Sequence, residues 1–254
     1  MRIAATLLFA MVVLSAQAHP EDEFCTPGES ALDPALCEAL NAMQSGEPVR
    51  PLVDADGNER SAFSTIGLYT QIGIGHILPG GLDHILFVLA LFLTSTRWRA
   101  LILQITMFTL AHTLTLGLAA AGLVTVNAAW VEALIAATIA IVAVENVFVK
   151  SLPRWRLPVV FVFGLLHGLG FAGFFGQLNL PDNQFVAGLI GFNIGGEIGQ
   201  IAVLALAFVL AVFIRRGIET DATSGRYRRF VVVPCSLVIA LIGSLWAIER
   251  LASV

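Results

Sequence analysis

Past residue 60 the chain alternates long apolar runs with short polar breaks, and the breaks mark out six stretches of membrane-spanning character. The first ends near Leu93; the others cover about 100–123, 128–149, 157–175, 185–214 and 230–248. Residues 63–254 are therefore expected to fold as an all-α polytopic bundle of six transmembrane helices. The first stretch departs from the pattern. Residues 66–93 are 28 positions, about 42 Å as one straight helix, against a hydrocarbon layer about 30 Å thick. That is too long for one crossing and too short for two. Inside it stands "GHILPGGLDHILF", whose Pro79-Gly80-Gly81 removes a backbone donor and permits a sharp turn. The expected result is a broken first segment, with one helix ending near Leu78 and the next starting near Leu82. Asp83 then falls in the first turn of the second helix, where the dipole favours its charge, and His76 falls on the last turn before the break. Irregular backbone at such depth requires protein or a wet cavity around it.

The N-terminal part is different. Arg2 precedes an apolar run over 3–14, and Ala16-Gln17-Ala18 places small residues at cleavage positions, so 1–18 read as a signal peptide. Residues 19–62 then form an acidic exported tail, with ten Asp/Glu against Arg50 and Arg60. Cys25 and Cys37, both in this tail, are expected to form a disulfide in an oxidising compartment, and Cys235 to be a buried small hydrophobe. Charge in the loops sets the orientation. Arg97 and Arg99 fall in the first loop, Lys150, Arg154 and Arg156 in the third, and Arg215, Arg216, Arg226, Arg228 and Arg229 in the fifth, while 122–127 and 176–184 contain no Lys or Arg. The positive-inside rule then puts odd loops in the cytoplasm and both mature termini in the periplasm of a bacterial-type inner membrane. Trp98, Trp130, Trp155 and Trp246 sit near segment ends, as interfacial anchors do.

Composition narrows the class. With 57% hydrophobic and 13% charged residues and a mean hydropathy of +0.85, the chain is too apolar for a soluble domain. No basic stripe with aromatics points to nucleic acid, and there is no Walker loop, dinucleotide fingerprint or Gly-x-Ser-x-Gly elbow. The expected partners are the lipid bilayer and an ion. Four of the five histidines lie within the crossings, His76, His84, His112 and His167, together with Asp83, Glu132, Glu145 and Glu197. Each ionisable group near the bilayer centre costs at least about 2.5 to 3.5 kcal/mol, so their number calls for a function.

Depth along each helix brings many of them to one level. Asp83, His84 and Glu132 fall in the outer half, and His112, His167, Asn193 and Glu197 near the middle of their crossings, so one outward-opening pocket collects them. Asn193 and Glu197 share a helix face, while Gly191, Gly195 and Gly199 form a small-residue ridge for close packing; this places the fifth crossing at the centre of the bundle. Thr109, Thr113 and Thr115 surround His112 and are candidates to fix its tautomer. Glu145 and Asn146 lie at the cytoplasmic end of the third crossing, with Asn146 on nearly the same stripe as Glu132. They are either stepping stones of a permeation path or groups that merely reach the interface. Imidazole with carboxylate, and no thiolate, suits nickel, cobalt, zinc, copper(II) or iron(II). One such histidine alone would be a core residue bonded to a carbonyl or threonine; several at compatible depths make a metal site.

The segments "GHILPGGLDHILFVLAL", "FTLAHTLTL", "VEALIAATIAIVAVEN", "FGLLHGLGFAGFF" and "FNIGGEIGQ" resemble the HupE/UreJ membrane proteins, a family associated with hydrogenase and urease accessory functions and with nickel or cobalt permeation. The resemblance covers about 65–250. It implies that His76, Asp83 and His84 handle the metal, with His167 and its glycines as a second motif. Six residues separate His76 from Asp83, and Phe171 stands where that motif would carry another histidine. The resulting expectation is a permease for a divalent cation, nickel or cobalt before zinc. His76, Asp83 and His84 capture the ion, His112, His167 and Glu197 replace its water, Glu132 aids entry and Glu145 release. The rival is a membrane-embedded metal-dependent hydrolase using the same His/Asp ligands, with Glu132 or Glu197 as general base. A third alternative is an accessory protein whose polar residues only lock helices together.

Overall fold

The computed structural model describes residues 61–149, 151–171, 182–218 and 225–252. The signal peptide, the acidic tail with Cys25 and Cys37, and the loop after Phe171 lie outside the described residues. Every element is helical: α1 (Ala62–Ile77), α2 (Leu82–Thr94), α3 (Trp98–Ala120), α4 (Ala128–Phe148), α5 (Arg156–Gly170), α6 (Asp182–Ile218), a π-helical turn (Arg228–Val232) and α7 (Val233–Ala252). Three spans, α3, α4 and α6, together with the continuous Arg228–Ala252, are long and apolar enough to cross a membrane, and α1 with α2 forms a bent pair. The shorter α5, 15 residues, is the sixth segment. This is a multi-pass membrane protein, and its outer surface is apolar: Leu103, Leu110 and Leu114 on α3, and Leu237, Leu241 and Leu245 on α7, are exposed at helical spacing. Trp98, Trp130 and Trp155 are half-exposed at helix starts.

Local signals account for the helix ends. Ser61 caps α1 by accepting from the Ser64 amide at 3.2 Å, and Asn127 caps α4 by accepting from the amides of Ala129 and Trp130. The predicted break is present, with α1 and α2 meeting at 70°. Its backbone satisfies itself: Leu78 N–H donates to Ile74 O at 2.7 Å, Gly81 N–H to Ile77 O at 3.2 Å, and Ile85 N–H to Gly81 O at 2.9 Å. Gly81 is required there, since a Cβ would run into the His76 carbonyl.

Small residues pair the remaining helices. A side chain on Gly195 would strike the backbone of Thr70, Ile74 and Gly73, and one on Gly191 that of Ile66, so the predicted ridge of α6 seats α1. On α5, Gly164 abuts Phe108 and Gly168 abuts His112, which draws α3 and α5 together; Thr115 Oγ1 seals that seam by donating to Leu165 O at 2.7 Å. Gly243 does the same between α7 and α4, against Ala136 and Ala140. The centre, however, is α2 and not the fifth crossing. His84, Leu86, Phe87, Val88, Ala90, Leu91 and Phe92 are all buried, so α2 is covered all round, the mark of an interior helix. By contrast α6 exposes Val186, Ile190, Ile194 and Ile198 along one stripe. Length explains the misplacement: the best-covered helix is also one of the shortest, and apolarity alone does not separate a lipid-facing residue from a protein-facing one.

Candidate metal centre

The break sets out the first two ligand candidates. His76 ends α1 and His84 begins α2, and the turn between them brings their rings to a centroid separation of 4.8 Å. From α3, His112 reaches within 5.8 Å of His84 and 6.5 Å of His76. From α5, His167 lies 5.2 Å from His84. Ligand nitrogens of His76, His84 and His112 all fall within 4.8 Å of one another. Two nitrogens bound to one metal at about 2.0–2.1 Å are about 3.3 Å apart in a tetrahedral site, so modest ring rotations close the set on an ion.

Three ring nitrogens, Nε2 of His76, Nε2 of His112 and Nδ1 of His167, are buried with no hydrogen-bond partner. Such groups cost free energy unless something binds them. For His167 the tautomer follows from its neighbour. Thr138 gives its hydroxyl proton to Ile135 O at 2.7 Å, so the 3.1 Å contact with Thr138 Oγ1 has Nε2–H as donor and leaves the lone pair on Nδ1. The threonines around His112 do not play that part: Thr113 donates to Thr109 O, Thr115 to Leu165 O, and Thr109 to Gln200 Oε1. Asn193 lines the same cavity as His112, and its side-chain nitrogen donates to Leu189 O at 2.7 Å.

Aromatic rings wall the cluster. Phe171 lies tilted against His76 at 4.2 Å, Phe192 lies 5.2 Å from His76 and 6.3 Å from His112, and Phe108 packs 4.9 Å from His167. A small cavity, with about 20 Å³ of room for water-sized occupants, opens beside the rings, lined by His76, His84 and His112 and, from α3 and α6, by Thr109, Asn193, Gly196 and Gln200.

The acidic residues are placed differently. Asp83 is held by Arg250 of α7, which donates to Asp83 Oδ2 through both Nη1 and Nη2 at 3.1 Å and also to the Glu132 carbonyl at 3.0 Å. Glu197 accepts from Thr106 Oγ1 at 2.7 Å. Glu145 and Asn146 belong to a separate cluster at the far end of α4. Glu145 pairs with the buried Arg156, and Asn146 contacts Thr94, donates to Ala90 O at 2.7 Å and accepts from Arg156 Nη2 at 3.2 Å. Arg228 covers the last carbonyls of α4, at Asn146, Val147 and Val149. Sequence reasoning missed Arg250, Arg156 and Gln200. Gln200 carried a usable signal, because it lies seven residues after Asn193 on the same helix face.

Fold and site together define a polytopic membrane protein with an imidazole cluster inside its helix bundle. Residues 54–250 match the model of the HupE / UreJ protein family, and the chain belongs to that family. The family is associated with nickel and cobalt transport. No curated protein and no solved structure matches the chain significantly.

Proposed function

We propose that this protein is a permease for a divalent transition-metal cation, nickel or cobalt, which it binds through His76, His84 and His112. One observation carries the reading: three imidazoles from three helices converge within 4.8 Å in the interior of a membrane bundle, two of them with a buried nitrogen that has no partner. Neutral imidazole is a good ligand for these ions. His167 stands behind His84 as a fourth imidazole, and Glu197, one turn along α6 from Asn193, supplies negative charge beside the cavity. Asp83 orients the first turn of α2 through Arg250. The site lies nearer the end of the bundle where α4 begins, which the loop charges assign to the periplasm, so the ion enters from outside. The Glu145–Arg156 cluster closes the opposite end, and release requires it to part.

Metal analysis of detergent-purified protein tests the binding step: about one nickel or cobalt per chain in the wild type, lost in His84→Ala. Uptake of radioactive nickel or cobalt into cells tests transport, and unchanged uptake in both His84→Ala and His167→Ala would remove the proposal. Three imidazoles with an open position also describe a catalytic zinc; hydrolysis without transmembrane uptake would favour that alternative.

A further inference from the structure

The cavity beside the imidazoles offers about 20 Å³ to water-sized occupants, and one water needs about 10–15 Å³ by the same measure. There is room for one small guest. An ion that keeps a shell of water does not fit, so the protein itself must supply the oxygens that the ion leaves behind. Ring nitrogens of His76, His84 and His112 form one side of the space. Carboxylates do not line it: Glu197 accepts from Thr106 at 2.7 Å, and Asp83 is held by Arg250. Among the described residues, the side-chain oxygens that do are the neutral ones of Thr109, Asn193 and Gln200. Gln200 is the best placed of these. It is buried, whereas Asn193 is half-buried. A helical side chain leans toward the N-terminal turn, and one turn back from Gln200 stands Gly196, where even a Cβ would meet nothing within 4 Å. Thr109, one turn before His112 on the same face of α3, donates to Gln200 Oε1 at 3.3 Å. That bond turns the amide so that its oxygen, not its nitrogen, faces the histidine-bearing side of α3, and a carbonyl oxygen has a second lone pair to give.

Resting on the permease reading, we propose that Gln200 is a direct ligand of the transported ion: its carbonyl oxygen, aimed by the Thr109 hydroxyl, joins the three imidazoles and takes the place of water. The ligand set then carries no charge of its own. Affinity at an oxygen-donor site rises with the number of charged ligands, so an amide where a carboxylate could stand holds the ion loosely enough to pass it on, as permeation requires. Thr109 is a positioning residue for that amide, in the way that groups behind metal ligands orient them. Gly196 leaves the space through which Gln200 reaches the rings.

The test titrates full-length purified protein with cobalt(II) at neutral pH, follows the visible bands of the bound ion, and measures uptake of radioactive cobalt by cells carrying the same variants. Gln200→Glu keeps the shape and adds a charge; it should bind cobalt about tenfold tighter, with shifted bands, and take it up more slowly. Gln200→Leu, close in size and without the oxygen, should bind at least about tenfold more weakly, also with altered bands. Thr109→Val leaves the ligand but not its aim, and should weaken binding about tenfold while the bands at saturation stay those of the wild type. A glutamine that only packs the helices would give no tightening in Gln200→Glu, and this variant serves if Gln200→Leu fails to fold. Wild-type affinity and bands in folded Gln200→Glu and Thr109→Val overturn the assignment of Gln200 and leave the imidazole site standing. Absence of bound cobalt in the wild type overturns the permease reading beneath it.

Discussion

Breaking the link between Asp83 and Arg250 should loosen the start of α2 and, through it, the metal site. Arg250 donates to Asp83 Oδ2 from two nitrogens at 3.1 Å, with a third contact to Oδ1 at 3.5 Å. Both side chains are largely buried, at 12% and 22% exposure. Charge centres about 4 Å apart attract by about 4 kcal/mol at an effective dielectric of 20. Desolvation offsets part of this, so a coupling of about 2 kcal/mol is expected. A double-mutant cycle of Asp83→Asn and Arg250→Gln, read by denaturation in detergent, isolates it. Each single variant should cost about 2 to 3 kcal/mol and the pair clearly less than the sum. His84 follows Asp83 in the same turn, so either single variant should also weaken cobalt binding about tenfold, or about 1.4 kcal/mol. Strictly additive stabilities, or full cobalt affinity in both single variants, would refute this account of the ion pair.

Gly195→Ala should destabilise the bundle by about 1–3 kcal/mol, because its Cβ would meet the backbone of Thr70, Ile74 and Gly73. Gly67→Ala, with nothing within 4 Å, should stay within about 0.5 kcal/mol of the wild type; thermal unfolding of the two side by side checks both. Glu145→Gln strands the buried Arg156 and should cost about 3 kcal/mol, yet leave equilibrium cobalt binding at the imidazoles within about twofold, which isothermal titration would show. Because metal binds neutral imidazole and competes with protons, retention should be complete at neutral pH and be lost only as acid protonates the buried rings; metal content after dialysis down an acid series measures it.

The break at Pro79-Gly80-Gly81 was readable because a hydrophobic run of the wrong length demands one, and the histidines were readable because lipid makes each of them expensive. The ridge on α6 was readable because close helix approach leaves few alternatives to glycine. What the sequence withheld was azimuth. Hydropathy reports depth along a helix, not which neighbour a face meets, so α2 looked like any other apolar stretch although it fills the middle. Arg250 lies just past the expected end of the last crossing, at 248, where no sequence signal ties it to Asp83. Arg156 counted as a loop cation that sets topology, whereas it is only 1% exposed and bonds Glu145, Asn146 and Thr94.

The partners of the first two helices are made last. Asp83 waits for Arg250, 167 positions downstream, and α1 waits for the glycines of α6, as Thr65 waits for Gln184, 119 positions on. During synthesis the leading segment must therefore reside beside lipid or the insertion machinery with its imidazoles unaccompanied, and only the finished polypeptide can close around them. Contacts of such sequence separation slow assembly. A ribosome that stalls before α6 would thus release a product inserted in the membrane but without a completed binding pocket.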